Sequence, residues 1–213
     1  MVKLASIAFR IRDPTPKEGF NAHMSNFIVT PLPITEVLIV KGRRFIDHRG
    51  YFTETFSWRS FVDLGINCEF VQDNESMSEH RGTVRGFHFQ VPPQAKLVRV
   101  LKGSIFDVAL DIRRGSPTFG RWCGASLTAA SGEQLFIPRG FAHAFCTLEP
   151  RTEVAYKVDA YYSPEGEAGI IWNDPALAVD WPILSDEAIL SESDARLPRL
   201  ADIASPFVYG DTE

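Results

Sequence analysis

Residues 105–112 alternate without a break. Ile105, Asp107, Ala109 and Asp111 fall on one side of an extended chain, and Phe106, Val108, Leu110 and Ile112 on the other. Strand-like runs of the same character recur: VLIV from Val37, YFTETF after the turn signal DHRG (47–50), TVRGFHFQ (83–90), KLVRVLKG (96–103), CGASLTA (123–129), EQLFIP (133–138), AHAFCTLE (142–149) and EVAYKVDAYY (153–162). β-Branched and aromatic residues fill these runs, and Gly, Pro, Asn, Asp and Ser separate them. A spacing of about ten residues per strand and turn suits a sandwich, barrel or jelly roll, so the pattern predicts an all-β fold.

Helical periodicity is confined to residues 58–64, WRSFVDL. Ser57 is placed to cap its start and Gly65 to end it, with Trp58, Phe61 and Val62 sharing a face. Residues 1–35 mix charge, short apolar pieces and Pro14, Pro16, Pro31 and Pro33, and read as an extension lying on the surface or on a neighbouring subunit. The strand-rich part spans 36–182, and 183–213 reads as a tail of loop and short helix packing on it.

Composition narrows the classes. A chain of 213 residues with 45% hydrophobic and 23% charged residues is ordinary for one globular domain. The net charge of −5 argues against a general nucleic-acid surface but leaves room for a small anion pocket. No apolar run approaches the ~20 residues needed to span a bilayer, and the N-terminal stretch, interrupted by Arg10 and Arg12, does not read as a secretory signal. Cys68, Cys123 and Cys146 are odd in number and widely spaced, which suits reduced thiols and a cytoplasmic setting.

His88 raises the chemical question, because it sits inside a strand-like run. A jelly-roll metal site takes two early histidines, a carboxylate and a later histidine. Here Gln90 and Lys96 occupy the early positions, and an ammonium beside a divalent cation is unfavourable. A base needs an orienting group, a stabiliser of negative charge and an acid on the opposite face. Strict alternation places Arg85 and Phe87 on one face and Gly86, His88 and Gln90 on the other, so Arg85 and His88 part company unless Gly86 marks a bulge. From the residues alone, Lys96, Tyr156 and Tyr162 on other strands remain candidates that nothing local brings to His88.

Eight runs, in order, resemble the dTDP-4-dehydrorhamnose 3,5-epimerase family: DHRGYFTETF (47–56), FVQDNESMS (70–78), TVRGFHFQ (83–90), residues 96–120, QLFIPRGFAHAF (134–145), YKVDAYYSP (156–164), IIWNDPALAVDWP (170–182) and LSESDARLPRL (190–200). The resemblance implies a cupin-type double-stranded β-helix, or jelly roll, with a few short peripheral helices. It implies a dTDP-4-keto-6-deoxyhexose substrate and no metal or other cofactor. It assigns His88 as base, Asp194 as the group orienting it, Lys96 as stabiliser of the enolate oxygen and Tyr156 as proton donor from the other face. Arg85 and His143 would contact the diphosphate, and Tyr162 would stack on thymine. Arg49, Phe52, Glu54, Gln72 and Asn74 would reach the nucleotide from the neighbouring subunit of a homodimer with shared sites, formed by exchange of N-terminal strands.

Three alternatives stay open: epimerisation at C3 or C5 alone, a 3,4-ketoisomerase, and a non-catalytic nucleotide-sugar-binding cupin. The chain departs from the family's pattern in a short VPPQA loop before Lys96, in Phe87, in Ala144 and in the long leading segment. Arg113 and Arg114 read as solvated turn residues, His48 as exposed, and Asn173, Asp174 and Pro175 as a turn.

Overall fold

A computed structural model describes residues 26–211. Among them, thirteen strands form two antiparallel sheets and a separate hairpin. One sheet orders β1 (Phe27–Pro31), β2 (Leu38–Gly42), β10 (Glu133–Ile137), β7 (Lys96–Lys102), β12 (Thr152–Val158) and β5 (Gln72–Ser78). The other orders β13 (Glu167–Gly169), β6 (Val84–Gln90), β11 (Phe141–Thr147), β8 (Ser104–Asp111) and β9 (Trp122–Thr128). The hairpin is β3 (Arg44–Asp47) with β4 (Gly50–Thr53). The nearly all-β, jelly-roll expectation is met. Strand β1 lies within the stretch read as an extension and pairs along its length with β2, whereas residues 1–25 fall outside the described residues.

The strand alternation accounts for the layering. Ile105 and Ala109 face inward with Val98, Val100, Leu127, Leu135, Phe145 and Val154, which come from both sheets and fill the space between them. The opposite set, Val108, Leu110 and Ile112, packs outward against the C-terminal segment through Ile170, Leu177 and Phe207. The first sheet's outer face is covered by the one α-helix among the described residues, α1 (Trp58–Asp63), through Phe61, with Ile66 and Leu97 beside it. Ser57 caps α1 and Gly65 follows with φ +82°, as expected. The expected apolar face is narrower, because only Phe61 is buried while Trp58 and Val62 are exposed. At barely more than one and a half turns, the helix presents one side chain to the sheet.

Arg113 overturns its reading as a solvated turn residue. It is 3% exposed, forks onto Asp111 (2.9 and 2.8 Å) and onto Glu36 (2.7 Å twice), and lies over the rings of Phe141 and Tyr209. A guanidinium is buried at tolerable cost when its donors are spent on carboxylates in this way. Arg114 and His48 are exposed, and Asp174 holds a turn by accepting from the backbone N–H of Ala176 and Leu200.

One irregularity positions the site. Along β6 and β11, His88 is opposite His143, but Arg85 is opposite Phe145, so Gly86 and Phe87 together face Ala144. The extra residue resets the alternation and turns Arg85 to the same side as His88. Gly86 has φ +110°, and a Cβ there would lie 2.4 Å from the His143 carbonyl oxygen and 2.8 Å from Ala144 Cα. Only glycine fits this bulge.

Candidate active site

Side chains from both sheets line a cleft. A cavity of about 450 Å3 is lined by Arg85, His88, Lys96, His143, Tyr156 and Asp194, among others. A second cavity of about 280 Å3 is lined by Gln72, Asn74 and Tyr162 and shares His88, Lys96, Tyr156 and Glu167 with the first. Nine of the twelve residues expected at the site therefore border one continuous cleft, although they come from five strands, a loop and the tail.

His88 projects from β6 and its Nε2 is 2.7 Å from Asp194 Oδ1. Asp194 opens a short 3-10 turn, Asp194–Arg196, in the tail. That tail is tied to the site's rim where Val84 N–H donates to the Ile189 carbonyl and Ile189 N–H to that of Gly82. Burial works to raise the Asp194 carboxyl, but the His88 hydrogen bond and charge, the Gly86 N–H and Ser191 outweigh it and hold it below the ordinary carboxylate range. A carboxylate on one ring nitrogen leaves His88 Nδ1, which has no hydrogen-bond partner among the described residues, available to the cleft.

Lys96 begins β7 on the inward parity of Val98 and Val100, and its ammonium has no hydrogen-bond partner among the described residues. Burial pulls it down to about 8, against the charges of Asp107 and Glu167, which favour the ammonium. Tyr156 of β12 sits opposite Asn74 of β5. Burial pushes its phenol up, Arg85 opposes and Glu167 adds, so the hydroxyl keeps its proton at neutral pH. Arg85 rests on Ser78 Oγ and the Met77 carbonyl, both at 3.3 Å. His143 is 6% exposed and its Nε2 is 2.6 Å from Asp107 Oδ1.

The remaining expectations divide. Tyr162 is half-exposed, and its hydroxyl donates to Glu167 at 2.7 Å. Gln72 and Asn74 depart from the expectation that they serve a neighbour's site. They line this chain's own cleft, Gln72 donating to Asn74 at 2.8 Å and accepting from the Tyr162 N–H at 3.2 Å. The reason is register, since β5 flanks β12 and its alternate side chains point the same way as Tyr156. Arg49, Phe52 and Glu54 do lie away from this cleft: Arg49 pairs with Asp47 on the exposed hairpin, Phe52 is 71% exposed, and Glu54 borders a separate cavity beside Arg44 and Arg99.

Two residues were not anticipated. Glu167 touches both cavities from β13, and its only sequence signal was a carboxylate between two family-like runs. Asp107 was visible as a carboxylate on the inward parity of β8, a position that otherwise holds core residues. Gln90, in contrast, is spent on structure: it donates to the carbonyls of Pro92 and Tyr161 and accepts from Ser163. Among the described residues no group of three or more His, Cys, Asp and Glu side chains is arranged to hold a metal ion.

A sequence model for the dTDP-4-dehydrorhamnose 3,5-epimerase family matches residues 31–202. The chain is 47% identical over 180 residues to a dTDP-4-dehydrorhamnose 3,5-epimerase of Sinorhizobium fredii, covering 84% of this chain and 92% of that protein. It is also 47% identical over 175 residues to one of Pseudomonas aeruginosa, covering 81% and 96%. Among solved structures it resembles the dTDP-6-deoxy-D-glucose-3,5-epimerase of Legionella pneumophila in complex with dTDP-4-keto-L-rhamnose, with TM-score 0.80, 43% identity and coverage of 84% and 95%. It also resembles a 3′-monoepimerase of Streptomyces bikiniensis in complex with dTDP-quinovose, with TM-score 0.74, 34% identity and coverage of 80% and 87%.

Proposed function

The chain belongs to the dTDP-4-dehydrorhamnose 3,5-epimerase family, and on that premise we propose that His88, Asp194, Lys96 and Tyr156 carry out its isomerase chemistry. The reaction inverts C3 and C5 of dTDP-4-keto-6-deoxyglucose, giving dTDP-4-keto-L-rhamnose. The observation that carries the assignment is convergence: the four side chains come from β6, β7, β12 and the tail, yet line one cavity.

The C4 carbonyl acidifies the C–H bonds at C3 and C5, because the carbanion delocalises as an enolate. His88 takes the proton at Nδ1, and Asp194 fixes the tautomer and stabilises the imidazolium. Lys96, partly desolvated and without a competing partner, faces the enolate oxygen, where a fixed positive charge contributes most. Tyr156, still protonated at neutral pH, returns a proton on the opposite face. Each inversion thus removes one proton and restores one, with no net change in oxidation state.

Arg85 and His143 hold the diphosphate, and Tyr162, Gln72 and Asn74 hold the nucleoside end of the cleft. A homodimer completes the site: Arg49 and Phe52 stand on an exposed hairpin with Ile46 and Tyr51, an apolar surface suited to a second copy of the chain. The three free, buried cysteines suit a reducing, cytoplasmic setting.

A second reading, inversion at C3 alone, is favoured by the likeness to the 3′-monoepimerase. Incubation with dTDP-4-keto-6-deoxyglucose in heavy water separates the two. Deuterium at both C3 and C5 with an L-sugar product supports double epimerisation, and deuterium at one carbon supports the single-centre enzyme. No exchange at either carbon would overturn the assignment of the four residues.

A further inference from the structure

The His143–Asp107 pair has an asymmetry that the proposed chemistry does not use. Asp107 is fully buried, with Oδ1 on His143 Nε2 at 2.6 Å and Oδ2 without a partner. An ionised carboxylate can only accept, so Nε2 is the nitrogen that carries hydrogen. The nitrogen left for the cavity is Nδ1, which has no hydrogen-bond partner among the described residues.

In a neutral ring that atom presents a lone pair, and a lone pair repels phosphate oxygen. In the imidazolium the same atom is a donor, and His143 becomes a two-ended bridge between two anions. The charges facing it come from every neighbouring element: Asp107 of β8, Lys96 of β7, His88 and Arg85 of β6, Tyr156 of β12 and Glu167 of β13. Burial together with Lys96 and His88 outweighs Asp107 and holds the His143 imidazole below the ordinary histidine range, so the ring of the free protein is neutral at pH 7.

We propose that Asp107 is a positioning residue that commits His143 to the Nε2–H tautomer, so that a dTDP-sugar binds with uptake of one solvent proton at His143 Nδ1. This rests on the reading of Arg85 and His143 as the diphosphate subsite. The step balances simply: an N–H bond forms at Nδ1, the proton comes from buffer, and Asp107 stays a carboxylate. Nucleotide recognition is thereby tied to pH through a residue that takes no part in the carbon chemistry.

Calorimetric titration of the unmodified protein with dTDP-glucose at pH 7, in two buffers of different ionisation enthalpy, reads the coupling directly. The phosphates of this probe are both bridged and do not titrate near neutrality. Lys96, at about 8, is already charged there and contributes only about a tenth of a proton. The expected result is uptake of about one proton and affinity about tenfold weaker at pH 8 than at pH 7, with thymidine binding unaffected by pH. Asp107→Asn and His143→Asn should each abolish the uptake and flatten the pH dependence while leaving thymidine affinity unchanged. Should the buried Asp107→Asn variant not fold, wild type and His143→Asn decide the matter. Zero uptake by the wild type, or undiminished uptake in His143→Asn, overturns the proposal. If dTDP-glucose affinity is weakened in His143→Asn but wild-type binding takes up no proton, the diphosphate reading stands and the coupling alone fails. If His143→Asn binds dTDP-glucose as tightly as wild type, the diphosphate reading itself is wrong.

Discussion

His88 stands directly across the β6–β11 ladder from His143, and each ring has its Nε2 on a carboxylate, Asp194 at 2.7 Å and Asp107 at 2.6 Å. The pairs differ in access. The His88 side chain is 36% exposed and that of His143 is 7%. Two chemically similar dyads on neighbouring strands can therefore serve different ends, the open one moving protons at the sugar and the deep one taking up a proton when a diphosphate binds.

Replacing His88 by Asn removes the proposed base while keeping a polar side chain of similar reach. Turnover is expected to fall by about 10²–10⁴, the usual worth of a general base. Affinity for dTDP-glucose should stay within a factor of about two, since one misplaced polar contact at the sugar end touches no phosphate. Steady-state kinetics together with calorimetry check both, and a variant near full speed would remove His88 from the mechanism.

Lys96 is expected to add a second alkaline fall to the one from His143. Burial places it at about 8, below the ordinary lysine range, so the ammonium proposed to face the enolate is present below that pH and lost above it. The kcat/KM profile of the free protein already falls with substrate affinity through His143, and above about pH 8 it should steepen further, where an unperturbed lysine would add nothing until about pH 10. Lys96→Met should remove this added steepness, leave the His143-linked fall in place, and lower kcat by about 10²–10³.

Tyr156→Phe deletes the proposed proton donor but leaves His88 and the Lys96 ammonium in place. Solvent deuterium should still enter the substrate through His88, with retention of configuration, while inverted product falls by about 10²–10⁴. Nuclear magnetic resonance of the recovered sugar separates exchange from inversion. Loss of both together would place Tyr156 in the abstraction step instead.

Arg113→Ala tests the fold and not the site. It strips the guanidinium from buried Asp111 and half-exposed Glu36, which should cost about 3–5 kcal/mol in denaturant unfolding. The pH dependence has a definite sign. Burial works to raise the Asp111 carboxyl, but bonds from Arg113, Ser116 and Thr118 outweigh it and hold it below its ordinary range. Its contribution is full above the ordinary carboxylate value and disappears as pH falls through the lowered one. The variant should lose part of this acid sensitivity.

Gly86→Ala places a methyl group against the His143 carbonyl at a φ that other residues rarely adopt. A cost of about 1–3 kcal/mol in stability is expected. Activity and dTDP-glucose affinity should drop together, because the bulge aims both His88 and Arg85. Loss of one without the other would show that the two side chains are placed independently.

The parts that could be read in advance were local ones. The alternation in 105–112 gave β8 and both of its faces, and Ser57 and Gly65 gave the ends of α1. Even the bulge was foreshadowed, since Arg85 and His88 could share a face only if Gly86 broke the alternation. Contacts between distant segments were beyond such reasoning. Asp194 is 106 residues from His88, so only the family resemblance suggested it. Arg113 looked like a turn residue because one partner, Glu36, is 77 residues away. Gln72 and Asn74 were given to the wrong chain for a similar reason, as the pairing of β5 with β12 is a property of the sheet and not of either run.

The two-for-one step at Gly86 and Phe87 also has a consequence for protein engineering. A regular extended segment displays neighbours two apart, so copying RGFHF onto a straight scaffold would deliver the imidazole and lose the guanidinium to the far side. A transplanted site of this kind must carry the kink and the facing Ala144 with it, or be rewritten with its cation two positions from its histidine.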